Sequence, residues 1–241
     1  MMSDPFLSII IPAHNEENRL PKTLEQVVSF AFSQSFKTEI VVVENASQDR
    51  TLDVAREFAA RHDSLFNILH EELPGKGRAV QKGMLAATGT YRFFADADFS
   101  MPVSEILRFI PPAVDIPVAI ASRESPGAVR YHEPLYRHLT GRIFNTLIRM
   151  LVLPALQDTQ CGFKMFRADA AEDLFRRQTL MGWSFDVELL YIASRRGYPI
   201  LEVAIPWYFN PESKVRIWRD SWRMFFDLLA IRRNGRSGQY D

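Results

Sequence analysis

Apolar positions along the chain come in short unbroken blocks, each followed by a stretch where they recur every three or four residues. LSIIIP (7–12), EIVVVEN (39–45), FNILH (66–70) and YRFFADAD (91–98) have the run lengths of buried strands. Between them, TLEQVVSFAF (23–32) puts Leu24, Val27, Val28 and Ala31 at helical spacing. SQDRTLDVAREFAARH (47–62) opens with polar capping candidates and continues as an amphipathic helix, and GKGRAVQKGMLAATG (75–89) predicts a helix bounded by glycines. Alternation of this kind predicts an α/β fold with a parallel sheet covered on both faces.

The second half is less regular. VAIAS (118–122) and ILEVAIPW (200–207) predict strands. Residues 136–152 carry Tyr136, Leu139, Ile143, Phe144, Leu147, Ile148 and Leu151, a helix with a broad apolar face. SFDVELLYIASRRG (184–197) predicts a helix ending at Gly197, and 217–233 a last helix mixing Trp, Phe, Leu and Arg. The closing RRNGRSGQYD reads as a frayed tail. With no internal repeat, linker or low-complexity stretch, the 241 residues are expected to form one domain.

Composition narrows the function. Hydrophobic residues make up 47% and charged residues 24%, which fits a packed core rather than disorder. A formal net charge of +0 gives no electrostatic case for a nucleic-acid partner. A single cysteine, Cys161, excludes an internal disulfide and a multi-cysteine metal site, and suits a reducing cytoplasm. No apolar run of membrane-spanning length and no signal-peptide pattern is present, so a cytoplasmic location is expected.

Ligands of such sheets bind at the carboxyl ends of the strands. Three polar clusters fall there: Pro12-Ala13-His14-Asn15-Glu16-Glu17, Glu44-Asn45 and Asp96-Ala97-Asp98. Two aspartates at i and i+2 can hold Mg²⁺ together with substrate phosphates, or can simply make a polar turn. Asn15 and Glu17 can equally cap the following helix, Glu44 can belong to an ordinary loop, and Lys76 can be a solvated charge. Convergence of the three clusters on one edge favours a shared site. The five histidines do not cluster at metal-ligand spacing and no catalytic role is assigned to them.

SIIIPAHNEENRLPKTLE, EIVVVENASQDRT, GKGRAVQKGMLAATGTYRFFADAD, DTQCGFKMF and FDVELLYIA resemble the family 2 glycosyltransferases over about residues 6–230. Within that family the chain is most similar to the dolichyl-phosphate β-glucosyltransferases and their polyprenyl-phosphate relatives. The DTQCGFK and FDVELLYIA pair is more specific than the two aspartates. The resemblance implies a GT-A fold, a Rossmann-like, mostly parallel sheet flanked by helices. About 1–117 would bind the nucleotide sugar and about 118–241 the acceptor. It implies transfer of a hexose, with glucose favoured, to a polyprenyl or dolichyl phosphate, using Mg²⁺ or Mn²⁺. UDP-glucose is the favoured donor and GDP-mannose a possible one.

By the same resemblance, Pro12, Ala13, Asn15 and Glu17 cradle the nucleotide, and Lys76 lies near it. Glu44 stands where the family has an aspartate that reads base and ribose, because VVENAS replaces VDDGS. Asp96 and Asp98 match the ribose and metal aspartates, with Phe99 where a glycine is common. Arg123 matches a phosphate-contacting arginine. Arg137, Lys214 and Arg216 are further acceptor candidates, with surface salt bridging as the alternative. Asp158, Gln160 and Lys164 line an acceptor pocket or brace the loop around the sugar. Asp158 is a sugar contact, not a base. Cys161 is expected as a buried thiol, and Asp186 as the partner of a nearby arginine.

A hydroxyl acceptor needs a general base. A phosphate monoester does not, since its second pKa is about 6 and it arrives as a dianion. Trp218, Trp222, Phe225, Phe226 and Leu229, beside Arg216, Arg219, Arg223, Arg232 and Arg233, can lie in a membrane interface, although closing the core is the commoner use of such aromatics. The helix at 136–152 is a second candidate for that surface, or for a dimer contact. The expectation is peripheral association with the cytoplasmic face of a membrane. The rival readings are a family 2 enzyme acting on a saccharide or other soluble acceptor, and a nucleotide-sugar-binding module without catalysis.

Overall fold

The four predicted strands of the first half lie side by side, each reached from the last through a helix. The computed structural model describes residues 4–210 and 217–241, apart from the side chains of 217–221. Strands β1 (Leu7–Ala13), β2 (Thr38–Asn45), β3 (Phe66–Glu71) and β4 (Tyr91–Ala95) run parallel, joined by helices α1 (Leu20–Ser33), α2 (Thr51–Arg61) and α3 (Lys76–Ala86). The unbroken apolar runs are explained by burial on two faces. Ile9, Ile11, Ile40, Val42 and Phe93 pack with Leu24, Val27 and Phe58 of α1 and α2. Ile10, Val41, Val43 and Phe94 pack with Ala79, Val80 and Met84 of α3.

The second half adds β5 (Val118–Ser122), β6 (Val129–Tyr131), α4 (Leu135–Leu151), β7 (Phe163–Arg167), α5 (Ala168–Arg177), α6 (Phe185–Arg195), β8 (Ile200–Ala204), β9 (Pro206–Tyr208) and α7 (Ile217–Arg236). Among the described residues the main sheet has seven strands in the order β3-β2-β1-β4-β7-β5-β8, and β6 and β9 form a separate short ribbon. The sheet is therefore mixed. β7 is inserted between β4 and β5 and runs antiparallel to both. Sequence pattern misses β7 because Lys164 and Arg167 interrupt a run of only five residues.

Three further expectations are corrected. The strand foreseen over 91–98 stops at Ala95, which leaves both aspartates in the following turn. The strand foreseen over 200–207 breaks at Ile205, where Pro206 starts the ribbon strand β9. The tail is not frayed: Tyr240 is fully buried, its hydroxyl donates to Glu188 at 2.7 Å, and its ring meets Tyr191 edge-on. In α7 the aliphatic Met224, Leu228 and Ile231 close the core, while Trp222 and Phe226 face outward. Of the two uses open to those aromatics, Trp222 and Phe226 do not close the core.

Candidate active site

The loops after β1 and β2 are knitted together by their own polar groups. Asn15 takes a left-handed backbone (φ 52°), which its short polar side chain tolerates. Its Oδ1 accepts the Gln48 N–H at 2.8 Å, and its own N–H donates to Ser47 Oγ at 3.0 Å. The Glu17 carboxylate accepts the Arg50 N–H at 3.0 Å, and the Glu17 N–H donates to Asp49 at 3.1 Å. Neither residue caps α1, whose N-terminus has no side-chain cap. Ala13 is buried and Pro12 partly so.

Glu44 is buried at the end of β2, with one carboxylate oxygen accepting the Ser47 N–H at 2.5 Å and the other bonded to His70 Nδ1 on β3. Asn45 Oδ1 accepts the Gly75 N–H at 2.9 Å, while its amide donates to the Leu73 carbonyl at 2.7 Å. The end of β2 thus anchors the GKG segment that starts α3.

From that segment Lys76 reaches the Asp96 carboxylate at 2.6 Å, with its ammonium 5.5 Å from the Trp183 ring centre. The turn after β4 is held from several sides. The Ala97 carbonyl accepts Thr23 Oγ1 at 2.6 Å, and the Asp96 N–H donates to the Gly162 carbonyl at 3.0 Å. A Cβ on Gly162 would stand 1.9 Å from Asp96 Oδ2, so only glycine leaves room for this carboxylate. Phe99 keeps a left-handed backbone (φ 38°) without being glycine, and its ring packs edge-on against Phe163 at 5.8 Å.

Burial, then the neighbouring Asp96, pushes the Asp98 carboxyl above its ordinary range. Burial works against the Lys76 charge, yet Asp96, and after it Asp186 and Asp98, hold its pKa above normal. Two carboxylates facing one ammonium leave negative charge that a divalent cation would balance. Among the described residues no group of three His, Cys, Asp or Glu side chains converges as a metal cage. The chain would supply Asp96 and Asp98 and leave the remaining positions to phosphate oxygens and water, the pattern Mg²⁺ prefers. The residues fit such an ion.

On the β5 side, Arg123 and Asp158 form one unit. The Arg123 N–H, Nε and Nη2 all donate to the Asp158 carboxylate, at 2.9, 2.7 and 2.9 Å. Asp158 is held in turn by its backbone N–H, which with that of Gln157 donates to Glu202 at 2.8 Å, and the Gln160 N–H reaches Asp158 Oδ1 at 3.3 Å. Burial opposes ionisation of Asp158, but Arg123 outweighs it and brings the carboxyl down to about 2. The Arg123 guanidinium also lies 5.4 Å from the Trp207 ring centre, and Arg137 at the start of α4 lies 5.1 Å from that of Phe209.

Lys164 does not line an open pocket. It is fully buried, donates to the Cys161 carbonyl at 2.6 Å and meets Asp186 at 3.3 Å. The partner of Asp186 is this lysine rather than an arginine. Cys161 is buried as expected, and burial pushes its thiol up to about 12. Lys214 and Arg216 lie outside the described residues. Sequence reasoning gave no role to Trp183, Trp207, Gly162 or His70. Gly162 lies inside the DTQCGFK motif, and only the position of Asp96 shows why it must be glycine.

The model of the family described as "Glycosyl transferase family 2" matches residues 8–175. A dolichyl-phosphate β-glucosyltransferase of Trichomonas vaginalis is 34% identical over 238 residues, covering 94% of this chain and 72% of that protein. The human protein of the same name is 33% identical over 247 residues, covering 94% and 74%. Among solved structures, glucosyl-3-phosphoglycerate synthase from Mycobacterium tuberculosis in complex with UDP shares the fold with a TM-score of 0.69 at 18% identity, covering 94% of this chain and 80% of that one. Another structure of that synthase holds Mn²⁺ and UDP-glucose. The sheet is of the GT-A type, and the chain belongs to glycosyl transferase family 2.

Proposed function

We propose that this glycosyltransferase moves glucose, with inversion, from UDP-glucose to a polyprenyl or dolichyl phosphate in a metal-dependent reaction. The observation that carries the reading is the state of Asp158. A group brought down to about 2 and filled by Arg123 is a poor general base. Glu124 and Glu133 beside it are both taken by Arg130. An acceptor entering this side must bring its own negative charge, as a phosphate monoester does. The names of relatives similar over 94% of the chain support the same acceptor class.

In this reading the loops around Pro12, Ala13, Asn15, Glu17 and Glu44 hold the nucleotide, as the donor half of about 1–117. Asp96 and Asp98 would hold Mg²⁺ or Mn²⁺, which when bound neutralises charge on the departing diphosphate. Lys76 moves from Asp96 to the diphosphate as the donor enters. Arg123, fixed in place by Asp158, and Arg137 orient the acceptor phosphate from the half of about 118–241, with Gln160 beside them. Its lipid is met at a surface built by α4 and α7. Leu135 (86% exposed), Tyr136, Leu139, Ile143 and Met150 form an outward stripe on α4, and Trp222 and Phe226 are likewise exposed on α7. Arginines 142, 149 and 223 accompany these helices. Among the described residues no helix is long and apolar enough to cross a membrane; the contact proposed is a peripheral one, with α4 and α7 lying in the interface.

The test is product analysis. Purified protein with Mn²⁺ and labelled UDP-glucose is given polyprenyl phosphate, 3-phosphoglycerate or free sugars. Label moving into a mild-acid-labile lipid supports the reading, and transfer only to a soluble acceptor sinks it. Binding of UDP-glucose without turnover on any acceptor would support the binding-module alternative. Co-sedimentation with anionic vesicles should fall at least severalfold in a Leu139→Glu, Ile143→Glu variant.

A further inference from the structure

The donor reading leaves His70, at the end of β3, without a role. We propose that His70, oriented by Glu44, reads the base of the donor nucleotide, its Nε2 accepting the imide N–H of a uracil ring. The inference rests on the nucleotide site proposed above.

Glu44 stands where a base-reading carboxylate is expected, yet its side chain is only 2% exposed and both oxygens are engaged. Glutamate carries one methylene more than the aspartate it replaces. The added reach takes the carboxylate across to β3 and leaves it no free oxygen for a ligand. Its register partner on β3 is His70. Ile40, Val42, Phe66 and Ile68 face the α1–α2 layer, so Glu44 and His70, in step with them, emerge on the same face at the carboxyl edge. The loop that carries Ala13 to Glu17 is bonded to residues 45–50 beside them. The imidazole is 46% exposed, so it meets solvent where the carboxylate does not.

The pairing also fixes the chemistry of the ring. An ionised carboxylate can only accept, so Nδ1 carries the hydrogen, and a ring holding that single hydrogen presents a lone pair at Nε2. Within the described residues, the His70 ring forms its side-chain hydrogen bond through Nδ1, not Nε2. A lone pair there matches the N3–H of uracil. Cytosine offers a lone pair at the same ring position and would set acceptor against acceptor. One buried glutamate would thus decide whether the site accepts or donates toward the base.

Two variants separate this from a structural role. In His70→Asn the side-chain amide can still donate to Glu44 but places nothing at the Nε2 position. In Glu44→Gln the carboxamide can still accept from Ser47 while donating to Nδ1, which moves the ring hydrogen to Nε2. Affinities for UDP and CDP, with Mn²⁺, are measured by calorimetry on both variants and the wild type. The wild type should prefer UDP by about tenfold or more, His70→Asn should lose about tenfold for UDP and little for CDP, and Glu44→Gln should shrink or reverse the preference. Imidazole nitrogen NMR of the wild type should show a protonated Nδ1 and an Nε2 signal that moves on adding UDP. UDP binding that is unchanged in His70→Asn, or an Nε2 signal indifferent to UDP, overturns the assignment while leaving the donor site standing. A wild type that binds no uridine nucleotide overturns both. Should His70→Asn fail to fold, the Glu44→Gln ratio and the wild-type spectrum decide.

Discussion

At residue scale, positions where backbone and side chain compete are the most informative. Gly162 has no room for a methyl group because the Asp96 carboxylate fills that space. Gly162→Ala should therefore displace Asp96 and weaken Mn²⁺-dependent UDP-glucose binding by at least tenfold. The measurement is a thermal-shift titration with and without metal, in which the variant keeps its cooperative melt but loses the ligand-induced rise. Ala46 poses the opposite case. It occupies the glycine position of the usual VDDGS pattern and keeps a left-handed backbone at φ 49°. A Cβ in that region costs about 1 kcal/mol or more. Ala46→Gly should raise the melting temperature by about 2–4 °C for a chain of this size, as read by calorimetry.

At the scale of elements, the first four strands and three helices were legible because β1, β2 and β4 are buried on both faces and each helix on one, with β3 half-buried at the sheet edge. The period of the apolar positions records both situations. β7 was not legible, since its Lys164 is paired with Asp186, 22 positions away, and a lysine inside an apolar run argues against a strand until that partner is known. The three strand-end clusters were legible by position, but what each side chain touches was not. Asn15 and Glu17 offered caps and turned out to be cross-loop ties. Arg123 and Asp158, 35 residues apart, gave no local sign of being one unit. The tail shows the same limit. Polar and glycine-rich, it is anchored by Tyr240, whose hydroxyl reaches Glu188, the residue that also accepts the Thr179 and Leu180 N–H groups at 3.0 and 2.8 Å. Tyr240→Phe should cost about 1–2 kcal/mol. It should also speed hydrogen exchange at the Thr179 and Leu180 amides, since their acceptor loses a brace.

At the scale of the whole molecule, the buried Arg123–Asp158 pair links stability to pH. The Asp158 carboxyl lies at about 2 when folded, against about 3.9 in an unfolded chain. A carboxyl lowered by folding adds stability that is fully present above its unfolded value and fades as pH falls through the folded one. The contribution is about 2–3 kcal/mol at neutral pH and is lost between about pH 4 and 2. In urea unfolding series, Asp158→Asn should be less stable than wild type by roughly that amount at pH 7, and the two curves should converge as the acid range is entered. A gap that persists unchanged at pH 2 would show that charge pairing is not its source.

The antiparallel insertion of β7 has a consequence for synthesis. While the chain is emerging from a ribosome, β4 is a raw outer strand of apolar YRFFA until residues 163–167 arrive to pair with it. A fragment ending near residue 117 would carry that open edge permanently and should self-associate rather than persist as a free half. The first and second halves of the chain are thus interleaved like clasped fingers, and neither should be obtainable as a stable piece by itself.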